Sequence, residues 1–405
     1  MPVEGGPLPG YPDVPYAQSC SMDRCMARAK EMMDWDSKYP CRDMGNGKVR
    51  GVGVAMAMQG SSIAGVDVGG ADIKLNEDGS YTLALGCTDM GTGCDTVMAQ
   101  IAADCLNTPM DNIVVFSVDT DISPYDSGSY ASATTYTTGV AVMKACEELK
   151  KKICKLGAEM MEVDEGKVDF DGSCVFYDET LEISDGADGN AAGHMTDAEE
   201  GYSVDMDAIS SENAQKKVSL EDIALKSTFF NNIELQVVKQ HSSPISPPPF
   251  MVGMAEVEVD TETGSVDVLD YVAVVDCGTP INPNLARVQT EGGIAQGIGM
   301  ALWEDVQYTD KGKIRNNSFM QYKIPTRQDI GNIRVDFECS YEKSGPFGAK
   351  SIGELVIDTP CPALAEAIYN ATGVRLTELP MTPEKIAMEI LKNRESIRSG
   401  TKVEE

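Results

Sequence analysis

Apolar positions recur along this chain in two periods, and the period changes from segment to segment. Residues 66–86, VDVGGADIKLNEDGSYTLALG, alternate apolar and polar in two runs split by NEDG, which is hairpin chemistry with Gly79 taking the positive φ of the turn. SMDRCMARAKEMMDW, from Ser21 to Trp35, carries apolar residues at helical spacing behind an acidic start and predicts a short amphipathic helix. A basic patch, Arg42 and Lys48 to Arg50, leads into GVGVAMAMQG, a buried-strand pattern. The spacing then places a helix from about Thr96 to Leu106, a buried strand at 113–118 and a long helix from about Ala131 to Leu156. Further on, MVGMAEVEVDTETGSVDVLDYVAVVDCG reads as two long strands around a TETG turn. A helix from about Asn284 to Trp303, strands to Cys339 and a helix near 361–373 follow. Strands alternating with helices argue for packed α/β layers, a mixed α+β chain, and against an all-β or all-helical one.

Breaks in these rhythms divide the chain. Residues 1–49 read as a Pro- and Gly-rich extended arm, one that a partner surface could order, followed by the short helix. A first unit spans 50–235 and contains an acidic insertion at 158–222, part hairpin and part solvated excursion. Within that insertion DGADGNAAG lacks the regular acid spacing of a calcium loop. SLED at 219–222 caps a helix over Ile223 to Ser227. SSPISPPPF marks a boundary, because its three successive prolines exclude helix and internal sheet pairing, so 236–249 reads as a connector. A second unit spans 250–386, and 387–405 is a charged tail.

Composition removes several function classes. With 33 Lys+Arg against 64 Asp+Glu the net charge is −31, a field that repels nucleic acid and anionic lipid. The N-terminus has no basic segment followed by an apolar stretch, and VGVAMAM is too short to span a bilayer, so the expected location is cytoplasmic. Twelve cysteines diluted through 405 residues without an export signal read as reduced thiols. Cys20 and Cys25 have the first gap of a plant-type ferredoxin loop but lack its next cysteine. His194 and His241 are the only histidines and stand near no GxSxG, which disfavours a serine-hydrolase triad. No Walker loop or complete dinucleotide fingerprint is present.

Three segments set small residues at helix N-termini: GCTDMGTGCDT at 86–96, DSGSYASAT at 126–134 and NPNLARVQTEGGIAQG at 282–297. A helix start offers unpaired N–H groups and the positive end of its dipole, so an anion can be held there without lysine or arginine. Turns and close helix packing use the same residues. GPFGAKSIGELVID, 345–358, adds a lone carboxylate, Glu354, on a segment of small and apolar residues.

In order along the chain, GCTDMGTGCDTVMAQIAAD, DTDISPYDSGSYASATTYTTGVAVMKACEEL, PPPFMVGMAEVEVDTETG, DCGTPINPNLARVQTEGGIAQGIG, YKIPTRQDIG and GAKSIGE resemble the C-terminal half of the molybdopterin-binding region of the xanthine dehydrogenase family. The match runs from Val49 to about Ile386. The resemblance implies a molybdenum hydroxylase whose two layered subdomains pack around a pterin cofactor, often a cytosine dinucleotide in bacteria. Its dithiolene, not a protein side chain, holds the metal, which also carries a sulfido or selenido ligand. Glu354 aligns with the family's general base, which takes the proton from the metal-bound hydroxyl as its oxygen attacks an electron-poor ring carbon while hydride passes to the sulfido or selenido ligand. Such a base is expected in a dry pocket with its pKa raised by burial, and Gly345, Gly348 and Gly353 are expected to let the backbone approach the cofactor.

Carried over residue by residue, the resemblance places Gly91, Thr92 and Gly93 in the pterin loop, with Thr92 where the family has glutamine. Ser129, Tyr130, Ala131, Ser132 and Thr134 fall on the segment against metal and pterin, and Gln289 matches a glutamine that hydrogen-bonds the pterin. Ile63 and Ala64 stand where xanthine enzymes place one of two phenylalanines that flank the purine. The implied substrate is a small N-heteroaromatic ring, a purine such as xanthine or hypoxanthine. The alternatives are a nicotinate dehydrogenase subunit, an aldehyde- or carbon monoxide-oxidising homologue, or a non-catalytic scaffold. The implied partners are a second molybdopterin subunit, a [2Fe–2S] subunit and an FAD subunit that complete the electron path, as in clostridial nicotinate dehydrogenase.

Overall fold

The computed structural model describes residues 7–8, 11–15, 18–117, 119–180, 216–231 and 233–399. Most of the acidic excursion with His194, the rest of the arm and the last residues of the tail lie outside the described residues. Within the arm, Pro7–Leu8 and Tyr11–Pro15 pair antiparallel.

Two sheets organise the chain. One has four strands, in the order Gln236–His241, Gly69–Leu75, Tyr81–Leu85, Ile113–Ser117. The 66–86 hairpin is its centre, with Leu75 opposite Tyr81. Helices Cys94–Leu106 and Gly139–Met161 cover it, burying Ile101, Leu106, Leu149 and Ile153 with Ile73 and Leu83. The long helix starts eight residues later than its periodicity predicts. Ala131 and Ser132 are left-handed, at φ 49° and 54°, and a wide π-turn at Thr134–Thr138 intervenes.

The second sheet has five strands, ordered Asn332–Phe337, Val266–Asp276, Phe250–Asp260, Lys48–Met58, Cys41–Gly45. Its central strands are apolar on both faces because both are covered. Val252, Met254, Val272 and Val274 meet Cys25, Ala29 and Met33 of helix Met22–Met33. Met251, Ala255, Val257 and Val275 meet Ile294 and Ile298 of helix Pro283–Leu302 and Ala363, Leu364 and Ala367 of helix Pro360–Thr372. Gly51 and Gly53 let this last helix touch the sheet: a Cβ on either would overlap its carbonyls at Ala367 and Ala363.

Strand pairing divides the chain differently from its punctuation. Lys48–Met58 pairs along its whole length with Phe250–Asp260, so it belongs with the second unit rather than the residues after it. Gln236–His241, read as the start of a connector, is an edge strand against Gly69–Leu75. Both assignments depend on partners far away in sequence, which local composition does not report. Ser219 caps helix Leu220–Leu225 by accepting from the N–H of Asp222 at 3.1 Å, as SLED predicts. Among the described residues no helix is long and apolar enough to cross a membrane.

Candidate functional site

The two sheets deliver five segments to one cavity of about 430 Å³: the turn before helix Cys94–Leu106, the stretch 129–135, the end of Val266–Asp276, the start of helix Pro283–Leu302, and the loop 349–354. Its size falls in the range of small-molecule and cofactor pockets. Of the residues singled out in the sequence, Thr92, Ser129, Tyr130, Ser132, Thr134, Gln289 and Glu354 line it. Gly91, Gly93 and Ala131 stand beside lining residues, whereas Ile63 and Ala64 lie on a neighbouring turn and are not part of the wall. Two ties bind that turn down: the N–H of Ile63 donates to Asp67 at 2.6 Å, and the N–H of Ser62 donates to the Ala131 carbonyl at 3.0 Å.

Glu354 is held by side chains from two distant parts of the chain. Its Oε2 accepts from Ser132 Oγ at 2.8 Å and from Gln59 Nε2 at 2.6 Å, and its own N–H donates to Ser132 Oγ at 3.0 Å. The carboxylate is exposed at the cavity edge, so this chain by itself does not supply the dry pocket expected of it. Asp358, one turn on, has its carboxyl raised by burial and then by the charge of Glu354.

The glycine expectations divide. Gly353 lines the cavity, and a Cβ there would lie 3.3 Å from Ser132 Oγ. Gly345 and Gly348 are used inside the fold: a Cβ on them would overlap the Ala349 carbonyl and the Tyr341 ring. Their smallness serves loop packing.

The amides of the 86–96 loop are already engaged. Asp89 accepts the N–H groups of Gly91 at 2.8 Å, Gly93 at 3.2 Å and Asp95 at 3.4 Å. Burial alone would raise its carboxyl, but these backbone donors together hold it below the usual range. This helix start therefore carries its own anion, and an Asp two residues before a Gly-x-Gly turn was the available signal. Cys94, also in the wall, has Cys87 as its neighbour, and their contact together with burial keeps the Cys87 thiol protonated.

The remaining wall is mostly apolar, with the buried Lys350 and a set of neutral polar groups in it: hydroxyls of Ser129, Ser132, Thr134 and Thr279 and the amides of Asn282 and Gln289. Asn282 also caps its helix, accepting from the N–H of Leu285 at 3.1 Å. Neutral donors and acceptors set among apolar side chains suit a flat heterocycle rich in amide-like edges, so the residues present fit a pterin. Gln59 was not singled out in the sequence, since its reach to Glu354 is set by sheet register.

Comparison with known proteins agrees. Residues 28–331 match the molybdopterin cofactor-binding domain family. The chain is 33% identical over 380 residues to a probable hypoxanthine oxidase of Escherichia coli, covering 92% of this chain and 35% of that protein. It is 28% identical over 375 residues to a putative xanthine dehydrogenase molybdenum-binding subunit of the same species, covering 91% and 46%. Its fold is that of quinoline 2-oxidoreductase from Pseudomonas putida 86, with a TM-score of 0.78 at 23% identity over 92% of this chain and 46% of that one. The chain thus spans less than half the length of these relatives. From the matched family model and the extent of these likenesses, the chain belongs to the molybdopterin-binding domains of the xanthine dehydrogenase family of molybdenum hydroxylases.

Proposed function

We propose that this chain contributes the general base and part of the pterin cradle to an enzyme that hydroxylates a carbon of a small N-heteroaromatic ring. The observation that carries this reading is Glu354, set on the wall of the cavity with Oε2 engaged and Oε1 left to take a proton. A bound molybdenum–pterin group, in its cytosine dinucleotide form with a sulfido or selenido ligand, supplies the oxygen and the two-electron change. Gln289 would hydrogen-bond the pterin edge, Thr92 would contact it and Tyr130 would present a ring face at the mouth, while Ser132 is taken up by Glu354 and the Asn282 amide by Gln100 and its own helix start. Glu354 would take up a proton at Oε1, a task for a carboxylate within hydrogen-bond reach of its donor. A purine is favoured by the likeness to a probable hypoxanthine oxidase, and nicotinate is the second candidate because Ile63 and Ala64 supply no aromatic wall.

The open edge supports a shared site. Glu354, Met90 and Tyr130 are exposed, and along 303–331 so are Tyr308, Phe319, Met320 and Ile324. Apolar exposure on this scale suits a protein contact, here the remaining molybdopterin region on a second subunit, with [2Fe–2S] and FAD subunits carrying electrons away.

The test is metal analysis and turnover of the complex purified with its partners. Glu354→Gln is expected to keep molybdenum and lose at least a hundredfold in kcat with hypoxanthine, xanthine or nicotinate, the scale of general-base catalysis. A complex without molybdenum, or one indifferent to the substitution, would instead identify a scaffold. Aldehydes and carbon monoxide in the same panel test the other oxidation chemistries.

A further inference from the structure

Gln59 stands one residue beyond strand Lys48–Met58, whose last residue, Met58, is paired with Phe250. The residues after it are stitched directly to the loop that carries Glu354. Ser61 Oγ accepts from the N–H of Ser351 at 3.0 Å and lies 3.0 Å from its Oγ, and Ser351 Oγ donates to the Gly60 carbonyl at 3.3 Å. Ser61 Oγ donates onward to the Pro247 carbonyl at 2.7 Å. The sheet therefore fixes the distance between Gln59 and Glu354 independently of their own contact.

Which way the Gln59 amide faces is decided by charge. Nε2 lies 2.6 Å from Glu354 Oε2, and the reverse orientation would set a carbonyl oxygen against a carboxylate. Oε1 is then buried with no hydrogen-bond partner among the described residues. Leaving a buried acceptor unsatisfied is unfavourable, and a glutamine kept merely to tie two loops together gains nothing from it.

Building on the proposed role of Glu354, we infer that Gln59 is a positioning residue for the base: with Ser132 it engages Oε2, so that Oε1 is the one oxygen free to accept a proton. Ser132 Oγ accepts the N–H of Glu354, which points its hydroxyl hydrogen at Oε2. Two donors on one oxygen fix the plane of the carboxylate. Asp358, one turn on, feels the charge of Glu354, which after burial raises the Asp358 carboxyl.

The experiment compares wild type, Gln59→Leu and Gln59→Glu in the purified complex, with Glu354→Gln as the reference. Two quantities are read: kcat against KM, and the infrared carboxylate stretching band of ¹³C-glutamate-labelled chain that vanishes in E354Q. Loss of one donor in Q59L releases the carboxylate plane and is expected to lower kcat about tenfold and to shift the band, with KM and molybdenum content unchanged. Q59E, equal in size to the native side chain, replaces the donor by a second carboxylate and is expected to lower kcat further. If Q59L does not assemble, Q59E alone carries the test. A kcat and a band that stay at their wild-type values in an assembled variant overturn the role of Gln59. Full activity in E354Q overturns instead the role of Glu354 on which it rests.

Discussion

Lys350 precedes Glu354 by four residues and is wholly buried, as is the Asp276 it meets at 3.0 Å. Asp276 Oδ1 also accepts from Ser340 Oγ at 2.7 Å and the N–H of Gly278 at 3.0 Å, and Oδ2 accepts from the N–H of Ser21 at 2.8 Å. Lys350 in turn faces the Phe250 ring at 5.1 Å and the Ser19 carbonyl at 3.4 Å. One ion pair thus joins the end of the arm, the core of the five-stranded sheet and the base loop. Lys350→Met keeps the volume but leaves Asp276 as a buried charge with three neutral donors, and removing one partner of such a pair costs about 3–5 kcal/mol. Lys350→Met with Asp276→Asn removes the orphaned charge and is expected to recover about 2 kcal/mol of that, the size of coupling found between contacting residues. Equilibrium urea unfolding of the four proteins measures the cycle. A single K350M variant within 1 kcal/mol of wild type, or a double variant weaker than the sum of the singles, would refute the view that this pair anchors the loop.

Two adjacent glycines of helix Pro283–Leu302 are expected to respond in opposite senses. Gly292→Ala, with nothing within 4 Å of the added methyl, should stabilise by about 0.5–1 kcal/mol; Gly293→Ala would overlap the buried Val356 side chain and should cost about 1–3 kcal/mol, both read by thermal unfolding. His241 has its pKa lowered to about 4 by burial and then by Lys144, 2.9 Å away. Between about 4 and the unfolded value near 6.5 the unfolded chain binds the proton first, so this group's contribution to stability is present above 6.5 and is lost as pH falls through 4. Urea midpoints at pH 7 and pH 5 in wild type and His241→Gln measure it, and an equal drop in both proteins would contradict the assignment.

Most elements were legible from local pattern, and part of the cavity wall from the resemblance. Alternation at 66–86 and helical spacing at 96–106 and 284–303 are local signals, and Ser132, Gln289 and Glu354, which line the cavity, sit in motifs that resemble the family's. Tertiary structure decided what depends on distant partners. Register with Phe250–Asp260 moved Lys48–Met58 into the second sheet and carried Gln59 to Glu354. Asp89, not a ligand, claimed the amides of its own loop, and the left-handed turn at Ala131 and Ser132 delayed the long helix. Hydrophobic period reports which face of an element is buried, whereas strand order and hydrogen-bond partners are set by which faces finally meet. A one-residue change of register would reverse the outcome with almost no trace in composition.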